Sequence, residues 1–482
     1  MSDQTEKAAS SKKISWYMLA FMAFSTVWGF GNVVNGFAYF NGTQVIFSWI
    51  LMFALYFVPY ALMVGELGSA FKNAGGGVTS WVLETTNPKI AYYAGFTYWV
   101  VHIPYIASKG SGGLKAVAWM CLANTWYDSL PPVVVQMATM AVFILFLFVA
   151  SRGLTPLKAL TTAAGSSMFI MSLLFIVMMF AAPVINPQAT YVPLNWSWEH
   201  LIPQFNIQYF TSLSILVFAV GGCEKISPYV NKVNNPGKDF PKGMIALAVM
   251  VMICAILGTV ALGMMFSGAD ITGDNQASFI ANGAYMAFAR LGEYYHVGNL
   301  FVILYGACNA VGQFSTLTLS IDAPLRMLLD DENARQFVPK ALLKQNKYGA
   351  YTNGILLVGV LSGSIILIQM LGTDAADIIA WLTKLNSVCM PMRYLWVFFA
   401  YILLKKAGDK FQADYRFVKS KGAGIFWGCW CFFITAACCL LGVYVEGDTT
   451  RTILNIIMPF VLVSLGLIMP ALRKREDQKE GK

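Results

Sequence analysis

The chain has 482 residues, of which 57% are hydrophobic and only 12% are charged, and its formal net charge is +9. Soluble globular proteins average about 45–50% apolar and about 25% charged residues, and a soluble domain of this size could not bury so much apolar surface in one core. The composition therefore predicts an integral membrane protein and excludes most soluble enzymes, disordered regulators and disulfide-stapled secreted domains. The nine cysteines lie almost wholly inside apolar runs without metal-ligand spacing, so we predict soft core residues, with no zinc site, disulfide framework or cofactor.

Twelve apolar stretches are long enough to cross the hydrocarbon core of a bilayer, which takes about 20 residues as a helix. They lie near residues 14–38, 44–66, 90–121, 132–150, 157–182, 208–230, 242–266, 297–325, 349–371, 377–402, 422–444 and 452–472. We therefore predict an all-α integral membrane protein with 12 transmembrane helices, since the sequence lacks the alternating strands of about ten residues that build a membrane barrel. The segment 267–296 predicts an amphipathic surface or re-entrant helix, and the polar end 473–482 predicts a disordered tail.

The positions of lysine and arginine predict the orientation, because these residues are retained on the cytoplasmic side of a membrane. With the N-terminus inside, 27 of the 33 lysines and arginines fall in inner segments, four lie within spans, and the outer loops hold Arg290 and Arg451. The cytoplasmic tails are then 1–13 and 473–482, in a multi-pass protein of the inner (cytoplasmic) membrane. The positive charge is explained by this topology and by a basic surface facing anionic lipid, so it does not indicate nucleic acid as a partner.

Glycine and polar residues interrupt the first and sixth spans near their middles. The first span reads WGFGN at 28–32 and the sixth reads FAVGGCE at 218–224, and the two spans cross in opposite directions. Corresponding breaks in two halves of a chain are the sequence pattern of an inverted-repeat transporter. We predict a 5+5 inverted repeat with discontinuous helices 1 and 6, in which the first repeat is 14–182, the second is 183–402, and helices 11 and 12 are appended at 403–472.

A helix break inside lipid is costly, because each unpaired amide or carbonyl group costs several kcal/mol unless it faces a cavity or a ligand. Half-helix N-termini carry partial positive charge and suit a carboxylate, whereas freed carbonyls suit an ammonium group. The paired breaks therefore predict a binding site for a zwitterion. Glycine can also simply permit close helix packing, which is the interpretation we favour for Gly68 and Gly165 but not for the matched breaks.

These residues resemble the amino acid–polyamine–organocation (APC) superfamily, and within it the glutamate/GABA-antiporter-like branch of bacterial exchangers. The resemblance covers residues 14–472. Its most distinctive pieces are the WGFGN segment and FAVGGCEKISPYVNKVNNPGKDFPKGM at 218–244. Further matches are GELGSAFKNAGGGVTSWV at 65–82, SIDAPLRML at 320–328, FVPKAL at 337–342 and WLTKLNSVCMPMRYLW at 381–396. The glutamate followed by NPGKDFP is a strong signal of the superfamily but a weak signal of the substrate.

The resemblance implies a central site between spans one and six. The residues that would hold the carboxylate of the substrate are Gly29, Phe30, Gly31 and Asn32. The carbonyls and small residues that would hold its amino group are at Phe218, Ala219, Val220, Gly221, Gly222 and Cys223. Glu224 matches the glutamate that the superfamily uses in gating and proton-linked steps. Two departures matter: the sixth-span break reads Gly-Gly-Cys, and the fifth span carries no mid-membrane lysine, which leaves the coupling ion open.

Ionisable side chains inside spans cost a few kcal/mol to insert and are functional candidates by default. Glu224 is the strongest candidate for a gating or proton-linked role, and the alternative is a salt bridge with Lys225 or another internal base. Glu66 and Asp322 lie near the cytoplasmic ends of spans, where we predict inner-gate ion pairs with lysine or arginine.

Basic residues cluster in two further spans. His102, Lys109 and Lys115 share one face of the third span, and Lys384 and Arg393 lie in the tenth. Together they predict a vestibule for anionic substrates or carboxylates, with His102 and Lys109 as gating or proton-linked candidates. Simple alternatives stand beside this interpretation. For Lys115 we favour snorkelling to the outer interface, for His102 a hydrogen-bonded core position, and for Lys109 neither interpretation is preferred.

Other polar and aromatic side chains could also line the site. The polar residues of the eighth span are Asn309, Gln313, Ser315 and Thr316. In sodium-coupled relatives of this architecture that helix supplies hydroxyl ligands to the ion, and here a plain interhelical hydrogen bond is equally good. The aromatic residues that could occlude a substrate or hold an ammonium group are Trp99, Tyr98, Tyr105 and Tyr305, although core packing is the commoner role of such residues.

The leading hypothesis is a secondary transporter, not an enzyme, that exchanges an amino acid for a related amine or amino acid by alternating access. Proton- or sodium-coupled symport is the alternative. An intramembrane enzyme is a distant alternative, because the sequence holds no H-E-x-x-H or G-x-S-x-G motif. A transport-inactive nutrient sensor is equally distant, because the sequence shows no long soluble signalling domain. The sequence also holds no phosphate-binding loop motif, which argues against ATP-driven pumping. The sequence does not choose among glutamate/GABA, tyrosine/tyramine, histidine/histamine and agmatine/putrescine, although the basic groups favour a substrate with a carboxylate. Spans 11 and 12 are available for a homodimer contact.

Overall fold

The computed structural model describes residues 13–271, 274–332, 334–371, 375–444 and 449–480, and the regular structure within them is helical apart from two isolated β-bridges. The helices of the first half are α1 (Trp16–Val27), α2 (Gly31–Tyr39), α3 (Val45–Met52), α4 (Val58–Ala70), α5 (Val78–Thr85), α6 (Pro88–Val100), α7 (His102–Leu122), α8 (Pro132–Ala150), α9 (Leu154–Ile185), α10 (Trp198–Leu201) and α11 (Ile207–Val220). The helices of the second half are α12 (Pro236–Gly263), α13 (Asp274–Tyr294), α14 (Leu300–Leu329), α15 (Thr352–Leu371), α16 (Ala375–Lys406), α17 (Lys421–Gly442), α18 (Thr449–Ser464) and α19 (Ile468–Lys479).

Ten helical stretches in the described part of the chain are long and apolar enough to cross a membrane, and α1 with α2, which meet at a bend of 41°, make an eleventh. The prediction of an all-α, multi-pass membrane protein is confirmed, while the count of twelve and the inverted repeat stay predictions. The stretch that does not qualify is the third predicted span, which the structure divides into α6 and α7. Helix α7 holds Lys109 and Lys115 with a run of glycine and serine between them, so it is less apolar than the other spans.

Glycine lets helices of this bundle cross at very short distances. A Cβ atom added at Gly165 of α9 would lie 1.9 Å from the carbonyl oxygen of Phe21 in α1. One added at Gly68 of α4 would lie 2.4 Å from the ring of Phe240 in α12. Neither distance leaves room for a side chain, so small residues at these crossings permit the backbones to approach. The packing interpretation of Gly68 and Gly165 is confirmed.

The segment between α12 and α14 forms the helix α13, as its amphipathic sequence predicts. Helix α13 packs against α2 and α14, and Nε2 of Gln276 donates to the carbonyl oxygen of Ala38 at 2.9 Å. The ring of Phe288 in α13 stacks on Tyr305 in α14, with centroids 4.4 Å apart. Helix α13 is not among the candidate membrane spans, and it lies against the second half of the broken first span.

The polar C-terminal segment is helical, contrary to the disordered tail that the sequence predicts. Helix α19 continues to Lys479. Arg473 and Asp477 form an ion pair one turn apart, with 3.2 Å between Nε and Oδ2, and Glu476 accepts a hydrogen bond of 3.0 Å from the backbone amide of Lys340. The prediction of disorder is wrong because these charges stabilise the helix and dock it on a neighbouring loop.

Candidate functional site

The first helix break separates α1 from α2 at residues 28–30. Trp28 is extended, with φ −125° and ψ 136°, and so ends α1, while α2 begins at Gly31. The hydroxyl Oγ1 of Thr26, in the last turn of α1, lies 3.3 Å from the carbonyl oxygen of Gly222 in the sixth span. The broken parts of the two spans therefore contact each other, as their matched sequences predict.

The second break follows Val220 at the end of α11, and its two glycines serve different purposes. Gly222 has a φ of +111°, in the left-handed region that favours glycine. Gly221 is extended, with φ −78° and ψ 156°, but a Cβ atom there would lie 2.2 Å from the hydroxyl of Tyr394. Residues Cys223–Lys232 then continue as a tighter 3₁₀ segment. The prediction that helices 1 and 6 are discontinuous is confirmed.

Asn32 holds the two breaks together. Its Nδ2 donates to the carbonyl oxygen of Val27 at 3.2 Å and to that of Ala219 at 3.1 Å. These carbonyls belong to the ends of α1 and α11, where a helix leaves such groups without an intrahelical partner. The amide of Asn32 therefore satisfies one freed carbonyl from each broken helix.

Replacing Asn32 with alanine should loosen this link. We expect Asn32→Ala to lower the free energy of unfolding by about 2 kcal/mol, because two carbonyls lose their donor at a partly buried position. The apparent thermal transition of the purified protein in detergent measures the change. Asn73→Ala, at an exposed loop position, is the matched control and should leave the transition unchanged; equal stability of the two variants would contradict the assignment.

A cavity of about 360 Å³ lies between the two breaks, within the size range of small-molecule sites. Side chains from α7, α13, α14 and α16 complete its walls. Of the residues that the sequence analysis assigns to the site, those that border the cavity are Gly29, Gly31, Asn32, Phe218, Ala219, Gly221 and Lys109. The structure thus brings residues from both breaks and from the third span to one cavity.

The other predicted site residues lie behind the cavity wall. They are Phe30, Val220, Gly222, Cys223, Glu224 and His102. The ring of Phe30 packs against Phe175 and Tyr305, with centroid distances of 4.7 Å and 6.0 Å, and the side chains of Val220 and Cys223 are fully buried in the core. These residues support the site from behind, and direct roles for them in substrate binding stay predictions.

Glu224 is fully buried in a network of tyrosines and one arginine. Tyr98 donates to its Oε1 at 2.5 Å, Tyr60 donates to Oε2, and Nε of Arg393 lies 3.3 Å from Oε1. The salt bridge considered as the alternative for Glu224 therefore exists, and its partner is Arg393 of the tenth span and not the adjacent Lys225. A gating or proton-linked role of Glu224 stays a prediction.

His102 is a buried, hydrogen-bonded histidine next to this network. Its Nδ1 lies 2.6 Å from the carbonyl oxygen of Tyr98, and its Nε2 contacts the guanidinium of Arg393. Arginine can only donate hydrogen bonds, so Nε2 accepts and Nδ1 carries the proton that the carbonyl receives. This arrangement is the hydrogen-bonded core position favoured for His102, and it uses the neutral imidazole.

Among the residues that the structure describes, four cationic side chains border the cavity, namely Lys109, Lys115, Lys225 and Arg393. Two of them have acidic partners. Arg393 pairs with Glu224, and Lys115 forms a salt bridge of 2.9 Å with Asp128. A carboxylate in the loop after α7 therefore binds the ammonium group of Lys115 at the edge of the cavity, and snorkelling of this side chain to the outer interface stays a prediction. The side chain of Lys384 lies outside the described residues.

Lys109 and Lys225 have no carboxylate within salt-bridge distance among the residues that the structure describes. The sequence alone suggests Lys225 only as an ion-pair partner of Glu224 and does not assign it to the cavity. The position of Lys225 directly after the helix break was the sequence signal that could have placed it at the cavity. The excess of cations makes the cavity electropositive, which suits a substrate that carries more negative than positive charge.

The predicted ion pairs at the ends of the spans are present. Lys405 Nζ lies 2.5 Å from Oε1 of Glu66, and this pair joins α16 to α4. Asp322 pairs with Arg326 one turn further along α14, with 2.7 Å between Oδ2 and Nε, and also accepts a hydrogen bond of 2.6 Å from Tyr229. The ion pairs are confirmed, and their role as an inner gate stays a prediction.

The polar groups of the eighth span make interhelical hydrogen bonds. Nδ2 of Asn309 donates to the hydroxyl of Tyr285 at 2.7 Å, and Oγ1 of Thr316 donates to the carbonyl oxygen of Ser25 at 3.1 Å. Both side chains border the cavity, whereas Ser315 is buried away from it. The interhelical hydrogen-bond interpretation is therefore confirmed for Asn309 and Thr316.

Two facing helix breaks around a polar cavity, in a chain with ten or eleven candidate spans, define a membrane transporter of the broken-helix class. An amino acid permease family model matches residues 14–465. The chain therefore belongs to the amino acid permease family within the APC superfamily, as its motifs suggest. It is an amino acid transporter and not an enzyme.

Three similar proteins illustrate this family. The chain is 47% identical to the aspartate/glutamate permease AcaP of Lactococcus lactis subsp. cremoris (strain MG1363), over 97% of both chains. It is 24% identical to the inner membrane transporter YjeM of Escherichia coli (strain K12), over 83% of each. It is 21% identical to a glutamate/gamma-aminobutyrate antiporter of Lactococcus lactis subsp. lactis (strain IL1403), over 75% of this chain and 70% of the relative.

Proposed function

We propose that this protein transports acidic amino acids, L-aspartate and L-glutamate, across the bacterial cell membrane by alternating access. The observation that carries the proposal is the excess of cationic side chains around the cavity between the two helix breaks. A neutral zwitterion needs only the breaks, whereas the additional positive charge is balanced by a second carboxylate. The similarity to an aspartate/glutamate permease, at 47% identity over nearly the whole chain, supports the same substrates.

The two breaks supply the groups that a zwitterion needs. Gly31 begins α2, so the backbone amides at Gly29–Gly31 and the partial positive charge of the helix N-terminus attract the α-carboxylate. The carbonyl groups at the end of α11, near Phe218 and Ala219, accept hydrogen bonds from the α-ammonium group. We assign no role in direct substrate contact to Glu224, because Arg393 and two tyrosines already surround it.

We propose exchange as the mode of transport, with a related amine or amino acid leaving as the acidic substrate enters. The antiporter among the relatives supports this mode.

We place both termini on the cytoplasmic side, since the distribution of lysine and arginine supports that orientation. The backbone bridge between Ile14 and Val233 then lies on the cytoplasmic side of the cavity. A homodimer through helices 11 and 12 stays a prediction.

Counterflow in proteoliposomes tests both the substrate and the mode. Vesicles are loaded with unlabelled L-aspartate, L-glutamate or their decarboxylation products, or are left empty, and labelled L-aspartate or L-glutamate is supplied outside. We expect uptake only into loaded vesicles, and we expect it to persist when proton and sodium gradients are dissipated. Uptake into empty vesicles that collapses with an ion gradient would show symport, and absence of aspartate and glutamate uptake under every condition would refute the proposed substrates.

A further inference from the structure

Two of the cations around the cavity are available for a ligand. Arg393 and Lys115 are held by Glu224 and Asp128, whereas Lys109 and Lys225 have no acidic partner in the described residues. The Lys225 side chain borders the cavity although the residue is only 2% exposed. A buried ammonium group is costly unless it is paired and hydrogen-bonded, so this position calls for an anion.

The contacts of Lys225 leave most of its hydrogen-bonding capacity unused. Its Nζ donates to Oγ of Ser320 at 2.6 Å, which accounts for one of the three N–H donors of an ammonium group. The ring of Tyr105 lies 5.4 Å from this Nζ, a cation–π distance that orients the charge without replacing an anion. Because Lys225 borders the cavity, its remaining donors are available to a ligand there.

Tyr105 brings the two unpaired lysines to one place. Its ring centroid lies 4.5 Å from Nζ of Lys109 as well as 5.4 Å from Nζ of Lys225. Lys109 and Tyr105 stand one turn apart on α7, and Lys225 comes from the 3₁₀ segment behind the sixth-span break. All three border the same cavity as Gly31 and the end of α11.

We infer that Lys109 and Lys225, arranged around Tyr105, form the subsite that binds the side-chain carboxylate of the acidic substrate. The inference rests on the proposed function. The helix breaks bind the α-carboxylate and α-ammonium groups that every amino acid shares, and the lysine pair distinguishes aspartate from asparagine, which has the same shape but no second negative charge. Lys225 is the principal determinant, because it is the more buried of the two and desolvation strengthens its attraction for an anion.

Equilibrium binding of L-aspartate, L-glutamate and L-asparagine to the purified full-length chain tests this subsite. We expect the wild type to prefer aspartate, and we expect Lys225→Met to lower aspartate affinity about 10- to 100-fold, the effect of removing a hydrogen bond to a charged group, with asparagine affinity unchanged. Lys109→Met should reduce the preference by a smaller factor. Lys242→Met, which removes a lysine whose side chain is 62% exposed and which does not border the cavity, is the matched control and should bind as the wild type does.

The outcomes separate this inference from the proposed function. A wild type that binds neither aspartate nor glutamate overturns the proposed function and the subsite with it. A wild type that prefers aspartate, with an unchanged preference in both Lys225→Met and Lys109→Met, overturns the subsite alone. An equal loss of aspartate and asparagine binding in Lys225→Met also overturns it, because a structural role would affect both ligands. Replacing an unpaired buried charge with an apolar side chain should not impair folding; if Lys225→Met does not fold, the preference measured in Lys109→Met decides.

Discussion

Glu224→Gln should abolish transport and lower the free energy of unfolding by about 3 kcal/mol, the cost of leaving one member of a buried ion pair without its partner. Glu224 is the carboxylate that faces Arg393, and both residues are almost completely buried. Without it, the guanidinium keeps its charge beside Lys225 at the cavity wall. Loss of aspartate counterflow in proteoliposomes and a lowered thermal transition in detergent would both report this change.

A double variant separates the ion pair from other functions of Glu224. Glu224→Gln combined with Arg393→Met removes both charges, and we expect it to recover most of the lost stability, because a buried ion pair replaced by neutral side chains is often tolerated. Transport should remain impaired, since Arg393 also borders the cavity. Glu84→Gln, at an exposed position, is the control that should leave both measurements unchanged. If the double variant lost as much stability as the two single variants lose together, the result would argue against the ion pair.

Gly165→Ala should destabilise the protein by about 3 kcal/mol, at the upper end of the cost of overpacking a well-filled core. The added methyl group would lie 1.9 Å from the carbonyl oxygen of Phe21, so α1 and α9 would have to separate. Because α1 ends at the first helix break, its displacement should also distort the cavity and reduce transport. The yield of monodisperse protein after detergent extraction and its thermal transition measure the effect.

Gly363→Ala provides the matched comparison for this helix crossing. Gly363 lies inside α15, and the nearest side-chain atoms to an added methyl group are 3.8 Å away, an ordinary contact distance. Alanine is also the better helix former, so Gly363→Ala should be neutral or slightly stabilising. If the two alanine variants behaved alike, the close approach of α1 and α9 would not be what constrains Gly165.

The membrane spans and the helix breaks depend mainly on residues that are close together in the chain, so the sequence predicts them. A span in lipid satisfies its own backbone hydrogen bonds, so its length and apolar character can be found along the chain. The same rule makes WGFGN and FAVGGCE conspicuous, since unwound turns are tolerated in a membrane only around a cavity. Where local composition is ambiguous the prediction was wrong: the charged C-terminal segment forms α19 because distant Lys340 and nearby partners bind its acidic residues.

The membrane class, the broken helices, the family and the basic residues inside spans can all be recognised in the amino-acid sequence. Which of those charges meet depends on how the helices pack. Glu224 is adjacent to Lys225 in the chain but pairs with Arg393 from the tenth span, and Lys225 turns instead toward Ser320 and Tyr105. The rotation and crossing of packed helices set these pairings. The unpaired lysines therefore become recognisable only after the helices are packed together.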